Sequence, residues 1–358
     1  MSHNLITEQS SLEDSQYMRR CLFLAQKGLG LTYPNPLVGC VIVYKGDIIG
    51  EGWHKKAGTA HAEVLAIKNV KDKSLLKHAT IYINLEPCTH FGKTPPCVDL
   101  ILKHKIPRVV IASEDPDKRV AGKGIEKLKE LKCKVEVGVL RGEADFLNRR
   151  FYTFHQKKRP YIILKWAQTK DHFISPKNKK KRSIFWITGT LAQQRAHQWR
   201  SEENAILVGV QTVIDDNPSL TTRHWKGNHP SRFVIDPNNR IPKDSKIMSD
   251  GFHSYLLSRM KVKHHLKQID YLETNFNSTE TILKTLYKKS IQSIIVEGGA
   301  RTLNHFLSEN LWDEIRVLEN PKKIKGGIAA PKVGHPVTKK EVLDKDHLYY
   351  YANHQYSP

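Results

Sequence analysis

The chain has 358 residues, a formal net charge of +22 at pH 7 and 39% hydrophobic residues. This length is too great for one ordinary hydrophobic core and predicts two domains of typical size. No apolar run approaches the length of a membrane-spanning helix, so we expect no membrane partner. Residues 1–11 are polar and lack the apolar core of a signal peptide, which predicts a cytoplasmic protein.

The positive charge is compatible with nucleic-acid binding. Most lysines, however, are spread along the chain beside glutamates, as in 124–130, and this is typical of a solvated helix face. Only the segment 177–182 is a nearly continuous basic run, and its neighbours predict a loop between two strands. We therefore expect a solvated loop rather than a nucleic-acid-binding arm, and no nucleic-acid partner. Positive potential can also attract phosphorylated small molecules.

The first 150 residues alternate between helices and strands after an initial hairpin. The predicted helices lie at 12–29, from His61 onward, from Pro95 onward, at 122–131 and around Ala144 to Leu147. The predicted strands lie at 38–44, 48–53, 79–85, 108–112 and 133–140. This order is typical of a three-layer α/β domain.

Three residues in this half predict a zinc site. His61 opens a predicted helix, Cys88 follows a predicted strand and Pro87, and Cys97 opens another helix. One imidazole and two thiolates are ligands that hold Zn(II), and three protein ligands leave a coordination position for water. The pattern therefore favours a catalytic site. A closed structural site is the alternative, and it requires His90 as a fourth ligand.

Glu63 lies two residues after His61 and can project into the same cavity without binding the metal. A His-x-Glu segment followed by Pro-Cys is the signature of zinc deaminases, in which the carboxylate moves protons. We therefore predict Glu63 as the catalytic acid and base. Because His61 and Cys97 both open helices, we also expect the positive helix ends to lower the pKa of the cysteine thiol.

Eight residues separate Cys88 from Cys97, whereas deaminases of nucleic acids and free nucleosides usually have two. Together with the segments 34–40 and 50–54, this spacing resembles the pyrimidine deaminase half of the bifunctional riboflavin-biosynthesis deaminase/reductase family. The resemblance implies a cytidine-deaminase-like α/β/α domain and places Asn35 on the pyrimidine. For His54, a strand-end histidine and a substrate contact are equally compatible with the pattern. Segments 115–117 and 120–124 also match the family and are expected near the phosphoribosyl end of the substrate.

The polar segment 156–160 predicts a domain boundary near 150–159, with a deaminase domain over 1–150 and a second domain over 157–358. Strands are predicted at 161–167, 205–210, 232–236, 292–297 and 314–318, with a late one at 348–351. Helices are predicted at 189–200, 279–289 and 302–310. The alternation again indicates an α/β domain with a largely parallel sheet.

No Gly-x-Gly-x-x-Gly follows the first of these strands, so a Rossmann domain is not indicated. The strand at 292–297 instead runs through Gly298 and Gly299 into a helix, a geometry that lets backbone amides approach a phosphate. Alone this is an ordinary turn. In the order 165–171, 185–189, 199–209, 212–223 and 297–302, however, the segments resemble the reductase half of the same family, which has a dihydrofolate-reductase-like fold.

That resemblance implies a set of contacts in the second domain. NADPH would be held by Ala167, Trp186, Thr212, Asp216 and a turn formed by Gly298, Gly299, Ala300, Arg301 and Thr302. Substrate would be bound by Arg200, Leu220, Arg223 and Glu297, with the guanidinium groups on phosphate and ribosyl oxygens. Ordinary structural roles are the alternatives: core packing for Trp186, a turn for Asp216 and a helix-end cation for Arg200.

The chain departs from the family pattern at three positions. His172 stands where glycine is usual, Ile184 stands where serine is common, and Pro237 replaces a small polar residue. These departures affect substrate and cofactor contacts of the second domain.

The sequence therefore predicts a bifunctional enzyme that uses Zn(II) and NADPH. It would deaminate 2,5-diamino-6-(5-phosphoribosylamino)pyrimidin-4-one hydrolytically and then reduce the ribosyl group to ribityl. Its partner would be this small phosphoribosyl pyrimidine, and a homo-oligomer is compatible with the sequence. Two alternatives are a deaminase whose second domain is a non-catalytic binding module and a nucleic-acid deaminase.

Overall fold

The computed structural model describes residues 2–89, 95–117, 121–177, 179, 182–260 and 267–353, with side chains from Leu12 onward. The chain divides into two compact units, Met1–Lys157 and Lys158–Ser357. Among the described residues, no helix is both long enough and apolar enough to cross a membrane. His90 and Val120, which the sequence analysis singled out, lie outside the described residues.

The first unit contains one five-stranded sheet in the order β2-β1-β3-β4-β5. Its strands are β1 (Gly39–Tyr44), β2 (Asp47–Trp53), β3 (Thr80–Leu85), β4 (Arg108–Ser113) and β5 (Lys134–Val137). The β1–β2 and β1–β3 pairs are antiparallel, and the β3–β4 and β4–β5 pairs are parallel. The predicted hairpin is thereby confirmed.

Helices cover both faces of this sheet. They are α1 (Ser2–Gln26), α2 (Ala62–Asn69), α3 (Cys97–Lys103), α4 (Lys123–Glu130), α5 (Arg141–Leu147) and α6 (Arg149–Lys157), with a 3₁₀ turn at Lys73–His78. Successive strand residues point to opposite faces, so Ile42 packs with α2, α3 and α4, whereas Val41 packs with α1 and α5. The predicted three-layer α/β/α architecture is confirmed.

Two elements of this unit differ from prediction at their ends. Helix α1 begins at Ser2, ten residues before the predicted start at 12. Strand β5 ends at Val137 rather than at 140, because Gly138 and Leu140 have φ values of +109° and +55°. Positive φ is incompatible with a strand, and leucine rarely adopts it. Helix α6 occupies most of the segment in which the sequence places the domain boundary.

The second unit contains a nine-stranded sheet in the order β11-β10-β9-β8-β12-β6-β13-β16-β15 and a small β14-β7 pair. The strands are β6 (Tyr161–Thr169), β7 (Phe173–Ser175), β8 (Ala205–Gly209), β9 (Ser231–Ile235), β10 (Ser254–Ser258), β11 (Ile269–Glu273), β12 (Ser293–Val296), β13 (Glu314–Asn320), β14 (Ile328–Ala329), β15 (Lys339–Leu343) and β16 (Asp346–Ala352). Neighbouring strands from β11 to β13 are parallel, which confirms the largely parallel sheet.

Two apolar clusters fill the two faces of this large sheet. Ile163 and Ile206 belong to one cluster, and Ile162 and Leu207 to the other, as the pleat requires. The helices are α7 (Thr190–Glu202), α8 (Val210–Asp216), α9 (Lys246–Ser249), α10 (Thr279–Lys288) and α11 (Ala300–Ser308). Sequence analysis did not predict β7, β10, β11, β14, β15, α8 or α9.

Candidate active sites

Three potential metal ligands converge in the first unit. His61 caps the N-terminus of α2, Cys97 begins α3 and Cys88 follows β3. Their ligand atoms all lie within 4.8 Å of one another. The His61 Nδ1 atom is 3.2 Å from the Cys97 Sγ atom and 3.6 Å from the Cys88 Sγ atom. Folding therefore brings the predicted set together.

This donor set fits zinc, which accepts one imidazole and two thiolates and keeps a further position for water. Within the described part of the chain, the cluster gains no fourth histidine, cysteine or carboxylate. An open metal site is the arrangement that hydrolytic chemistry requires, because the reacting water needs a coordination position.

The two thiols of the cluster differ in acidity. A hydrogen bond with Cys97 lowers the pKa of the Cys88 thiol to about 4. The same bond, together with burial, raises the pKa of the Cys97 thiol. The predicted lowering by the helix end is therefore wrong for Cys97, since a thiolate in contact outweighs the partial charge of a helix terminus.

Glu63 lies in the first turn of α2 and is only 3% exposed. Burial, and next the charge of the Cys88 thiolate, raise the pKa of its carboxyl group above the ordinary value. A hydrogen bond with the Cys97 thiol opposes this shift but does not reverse it. The structure therefore places the carboxyl group beside the ligand cluster, in an environment that favours exchange of a proton.

Asn35 and His54 meet beside the same cluster. The Asn35 Nδ2 atom donates to the His54 Nε2 atom over 3.0 Å, and the His54 Nδ1 atom donates to the Ala60 carbonyl over 3.2 Å. The His54 ring stands edge-on to the His61 ring, with centroids 5.7 Å apart. Burial lowers the pKa of His54, so its neutral ring orients the Asn35 amide.

Glu86 is a buried carboxylate that sequence analysis missed. Its oxygens accept hydrogen bonds from the backbone amides of residues 115, 122, 124 and 125, at 2.8 to 3.3 Å. These bonds join Asp115, Gly122 and the start of α4 to the turn that carries Cys88. A glutamate directly before Pro87-Cys88 was the available signal. Burial raises the pKa of Asp115, in this loop, to about 7.

The second unit contains a cavity of about 430 Å³ at the C-terminal ends of β6, β8 and β12. Seven of the predicted cofactor and substrate residues line it, namely Ala167, Thr212, Asp216, Glu297, Gly299, Ala300 and Arg301. Lys165, Lys179, Phe185, Ile187 and Gln211 also line it, although no role was assigned to them. A lysine at 165, within the otherwise buried strand β6, was the signal for the first of these.

The Gly-Gly turn forms one wall of this cavity. A Cβ atom on Gly298 would lie 2.4 Å from the Val208 Cα atom, so only glycine fits there. Gly299 has φ +43° and leads directly into α11. The Thr302 side chain does not line the cavity and points toward Gly209, where a Cβ atom would lie 2.7 Å from its Oγ1 atom. Trp186, between the lining residues Phe185 and Ile187 in sequence, is 49% exposed and also lies outside the lining.

A buried carboxylate with two cations occupies one end of the cavity. Glu297 accepts two hydrogen bonds from Arg200, at 2.8 and 2.7 Å, and lies 3.6 Å from the Lys165 Nζ atom. Burial opposes ionisation of Glu297, but the charges of Arg200 and Lys165 lower its pKa to about 2. Glu297 is therefore a fixed negative charge rather than a proton carrier.

The segment 220–223 runs beside this ion cluster. Leu220 is 2% exposed and packs in the apolar core, so only its backbone is available to a ligand. The Thr221 carbonyl accepts from Arg200 Nη1 over 3.2 Å, and the Thr221 hydroxyl accepts from Arg223 Nη1 over 3.2 Å. Arg223 is exposed.

Two of the three departures have local explanations. His172 has φ +59°, the conformation for which glycine is common, and its Nδ1 atom is 3.1 Å from Gln168 Nε2. Pro237 follows Asp236, whose carboxylate accepts from the amides of Arg240 and Ile241 and closes the turn. The structure gives no reason for Ile184.

The basic run is not simply a solvated loop. Lys179 lines the cavity and forms an ion pair with Asp216, and Arg182 holds Asp244 with two hydrogen bonds of 3.0 and 2.9 Å. The prediction of a solvated loop is wrong for these two residues, because the carboxylates of Asp216 in α8 and of Asp244 face them.

An open His/Cys/Cys cluster beside a buried glutamate, on an α/β/α sheet, defines the class of zinc-dependent deaminases. Residues 11–113 match the cytidine and deoxycytidylate deaminase zinc-binding region, and residues 160–349 match the RibD C-terminal domain. The chain belongs to the RibD family of riboflavin biosynthesis proteins, which are bifunctional deaminase/reductases, and the predicted deaminase and reductase folds are confirmed.

Relatives match along nearly the whole chain. It is 41% identical over 327 residues to riboflavin biosynthesis protein RibD of Aquifex aeolicus, covering 90% of each chain. It is 38% identical over 355 residues to RibD of Bacillus amyloliquefaciens, covering 96% of this chain and 94% of that one. A diaminohydroxyphosphoribosylaminopyrimidine deaminase/5-amino-6-(5-phosphoribosylamino)uracil reductase from Thermotoga maritima superposes with a TM-score of 0.87 at 33% identity, covering 96% and 99%.

Proposed function

We propose that His61, Cys88 and Cys97 hold the zinc ion of the deaminase and that Glu63 is its proton carrier. The observation that carries this proposal is the convergence of the three ligand atoms within 4.8 Å beside the buried Glu63. Zinc, when bound, lowers the pKa of a water molecule toward neutrality. Glu63 would take one proton from the reacting water and pass it to the pyrimidine ring nitrogen. It would then take the second proton from the added hydroxyl group and pass it to the amino group, which leaves as ammonia.

We propose that the diaminopyrimidine phosphoribosyl compound is the substrate of this site. Asn35 contacts the pyrimidine, and the neutral His54 holds the Asn35 amide in place through the 3.0 Å contact. A neutral imidazole beside the cluster adds no positive charge that would compete with a cation for the ligands. The four amide bonds to Glu86 keep Cys88 and the loop at 115–117 in fixed positions.

In the second unit, we propose that NADPH binds in the 430 Å³ cavity against the Gly-Gly turn. NADPH, when bound, would supply a hydride to C1 of the ribosyl group as the bond from C1 to the ring oxygen breaks and that oxygen takes up a proton, and the protein would orient the two reactants. The free amides at the start of α11 and the absence of side chains at 298 and 299 allow a phosphate to approach the backbone. Thr212, Asp216, Ala300 and Arg301 line the same cavity.

We propose different tasks for the two arginines that the resemblance places on substrate. The guanidinium of Arg200 is directed at Glu297 and the Thr221 carbonyl, so it fixes the carboxylate that contacts the ribosyl group. Arg223 is exposed, and its guanidinium is the group that binds the substrate phosphate. Trp186 and Thr302 stay proposed cofactor contacts, although neither lines the cavity.

We also propose a cytoplasmic enzyme that acts on small molecules and not on nucleic acid. The five cysteines are free thiols, and two of them are metal ligands, which suits a reducing compartment. The described cations of the basic run face acidic side chains, which leaves less charge for a nucleic-acid backbone.

A coupled assay tests both activities. The purified zinc-loaded protein is given the diaminopyrimidine phosphoribosyl substrate and NADPH, and ammonia release and NADPH absorbance are followed separately. We expect ammonia release first and NADPH oxidation after it. Ammonia release without NADPH oxidation would mean that the second domain is not catalytic. If neither ammonia release nor NADPH oxidation occurs, the proposal is contradicted.

A further inference from the structure

A histidine with no role in the proposed mechanism lies under the phosphate-binding segment. His197 is 3% exposed and sits on α7, three residues before Arg200. Its Nδ1 atom accepts a hydrogen bond of 3.0 Å from the backbone amide of Arg223. Its ring meets the His224 ring edge-on, with centroids 4.8 Å apart. The imidazole therefore connects the helix of Arg200 to the backbone of Arg223.

The neighbouring amide is held in the same way. The backbone amide of Thr222 donates to the Nδ1 atom of His229 over 3.1 Å, and the Thr222 hydroxyl donates to the Asn228 carbonyl over 3.1 Å. Together with the bond from Arg200 to the Thr221 carbonyl, three successive residues are fixed through their backbones. This segment has no strand or helix pairing of its own, so side chains replace the backbone partners.

Only one form of His197 can accept from the Arg223 amide. The Nδ1 atom must carry no hydrogen, so the ring is neutral with its hydrogen on Nε2. Burial, and then the charges of Arg200 and Arg223, lower the pKa of His197 to about 3. A ring that stays neutral beside two guanidinium groups adds no repulsion and keeps its acceptor.

We propose that His197 is a positioning residue for the reductase substrate, which acts by fixing the backbone of Arg223. The proposal rests on the assignment of the substrate phosphate to Arg223 made above. His197 does not contact the reacting atoms. It sets the position of the backbone that carries the Arg223 side chain, and a misplaced guanidinium binds a phosphate with poorer geometry.

A pair of amide variants tests this geometry. In His197→Asn the side-chain oxygen lies at the same bond distance from Cβ as Nδ1 and can accept from the Arg223 amide, whereas in His197→Gln the oxygen lies one bond further. With 5-amino-6-(5-phosphoribosylamino)uracil supplied directly, we expect the KM of His197→Gln and His197→Leu to rise about tenfold. His197→Asn should stay within about threefold of the wild type.

The effect should be confined to substrate binding. We expect kcat and the Kd for NADPH to change less than about twofold in these variants, because His197 lies outside the lining of the cofactor cavity. His253→Leu is the matched control: that histidine is about half exposed, lies 3.6 Å from Asp270 and packs edge-on against Tyr255, so the KM of this variant should not change. If His197→Gln raises KM, lowers kcat and weakens NADPH binding by the same factor, the proposal is overturned in favour of a purely structural role.

A double-mutant cycle separates this inference from the assignment on which it rests. Arg223→Ala should raise KM, and adding His197→Leu to it should raise KM no further. If Arg223→Ala leaves KM unchanged, the phosphate assignment fails. If Arg223→Ala raises KM and the effects of the two substitutions multiply, or if His197→Gln behaves as the wild type, the positioning role of His197 fails while the assignment stands.

Discussion

The two units bury a functional glutamate in opposite ways. Glu63 lies beside the Cys88 and Cys97 sulfur atoms, no described lysine or arginine forms an ion pair with it, and burial raises the pKa of its carboxyl group. Glu297, whose side chain is 9% exposed, receives two hydrogen bonds from Arg200 and faces Lys165, and its pKa falls to about 2. Burial alone therefore does not set the behaviour of a carboxylate; the charge of its contacts does.

The difference suits the two reactions. A deaminase needs a carboxyl group that accepts and returns protons during each turnover. A raised pKa lies closer to the working pH, where both proton transfers are feasible. A reductase that takes hydride from its cofactor needs fixed charges to orient a polar substrate. The same residue type therefore performs either task according to its neighbours.

The largest effect is expected at Glu63. Glu63→Gln keeps the shape of the side chain but cannot carry a proton, so ammonia release should fall by about 10³-fold. Zinc content, measured by atomic absorption, should not change, and NADPH oxidation with supplied deaminated intermediate should continue at the wild-type rate. Loss of zinc from this variant would instead make Glu63 a ligand.

A stability loss is expected at Glu297. Glu297→Gln leaves Arg200 and Lys165 as buried charges without a counter-ion, which should cost about 3–5 kcal/mol of unfolding free energy in the reductase domain. Urea unfolding followed by the fluorescence of the tryptophans of that domain measures this loss. The control is Glu280→Gln, whose pair with Lys284 is mostly exposed and should contribute less than about 0.5 kcal/mol. Similar losses of unfolding free energy in both variants would contradict a larger stabilising contribution of Glu297.

The pH dependence of the same variant sharpens the comparison. The pKa of Glu297 is about 2 in the folded state and 4.5 in its ordinary state. Its stabilising contribution is therefore complete above 4.5 and is lost as pH falls toward 2. We expect the difference in unfolding free energy between the wild type and Glu297→Gln to shrink below pH 4.5. A difference that stays constant over that range would contradict the lowered pKa.

The smallest effect is expected at Asp216, an intermediate case. This carboxylate forms an ion pair with Lys179; burial raises its pKa, and the lysine opposes the shift without reversing it. Lys179→Met should weaken NADPH binding less than about fivefold, because both side chains are partly exposed and such pairs contribute little. Fluorescence titration measures the Kd, with Asp244→Asn as a control on the neighbouring pair of Arg182. A hundredfold loss would make Lys179 a direct cofactor ligand.

Local sequence patterns were sufficient to predict the candidate deaminase site. His61 and Cys97 stand at the starts of helices, Cys88 follows a strand, and one imidazole with two thiols is typical of a metal site. Alternation of buried positions likewise predicted the central strands of both sheets. The ends of strands were less predictable. Strand β5 was expected to run to 140, but the positive φ at Leu140 is incompatible with a strand.

The reductase site depended on resemblance because its parts come from distant segments. Lys165 and Glu297 are 132 positions apart in sequence, and nothing local to either indicates that they meet at 3.6 Å. Sequence analysis assigned Arg200 to the substrate, whereas the structure directs its guanidinium at Glu297. A pairing between distant charges is a property of the folded chain.

By itself, the sequence determined the ligand types and the two α/β units, because these depend on residue chemistry and on short-range periodicity, and the order of its motifs indicated the family by resemblance. Only the tertiary structure decided which carboxylate is neutralised by cations, that Glu86 gathers four amides, and that His197 holds the backbone of Arg223. Those properties depend on burial and on partners from remote segments, and no short stretch of sequence contains both halves of such a contact.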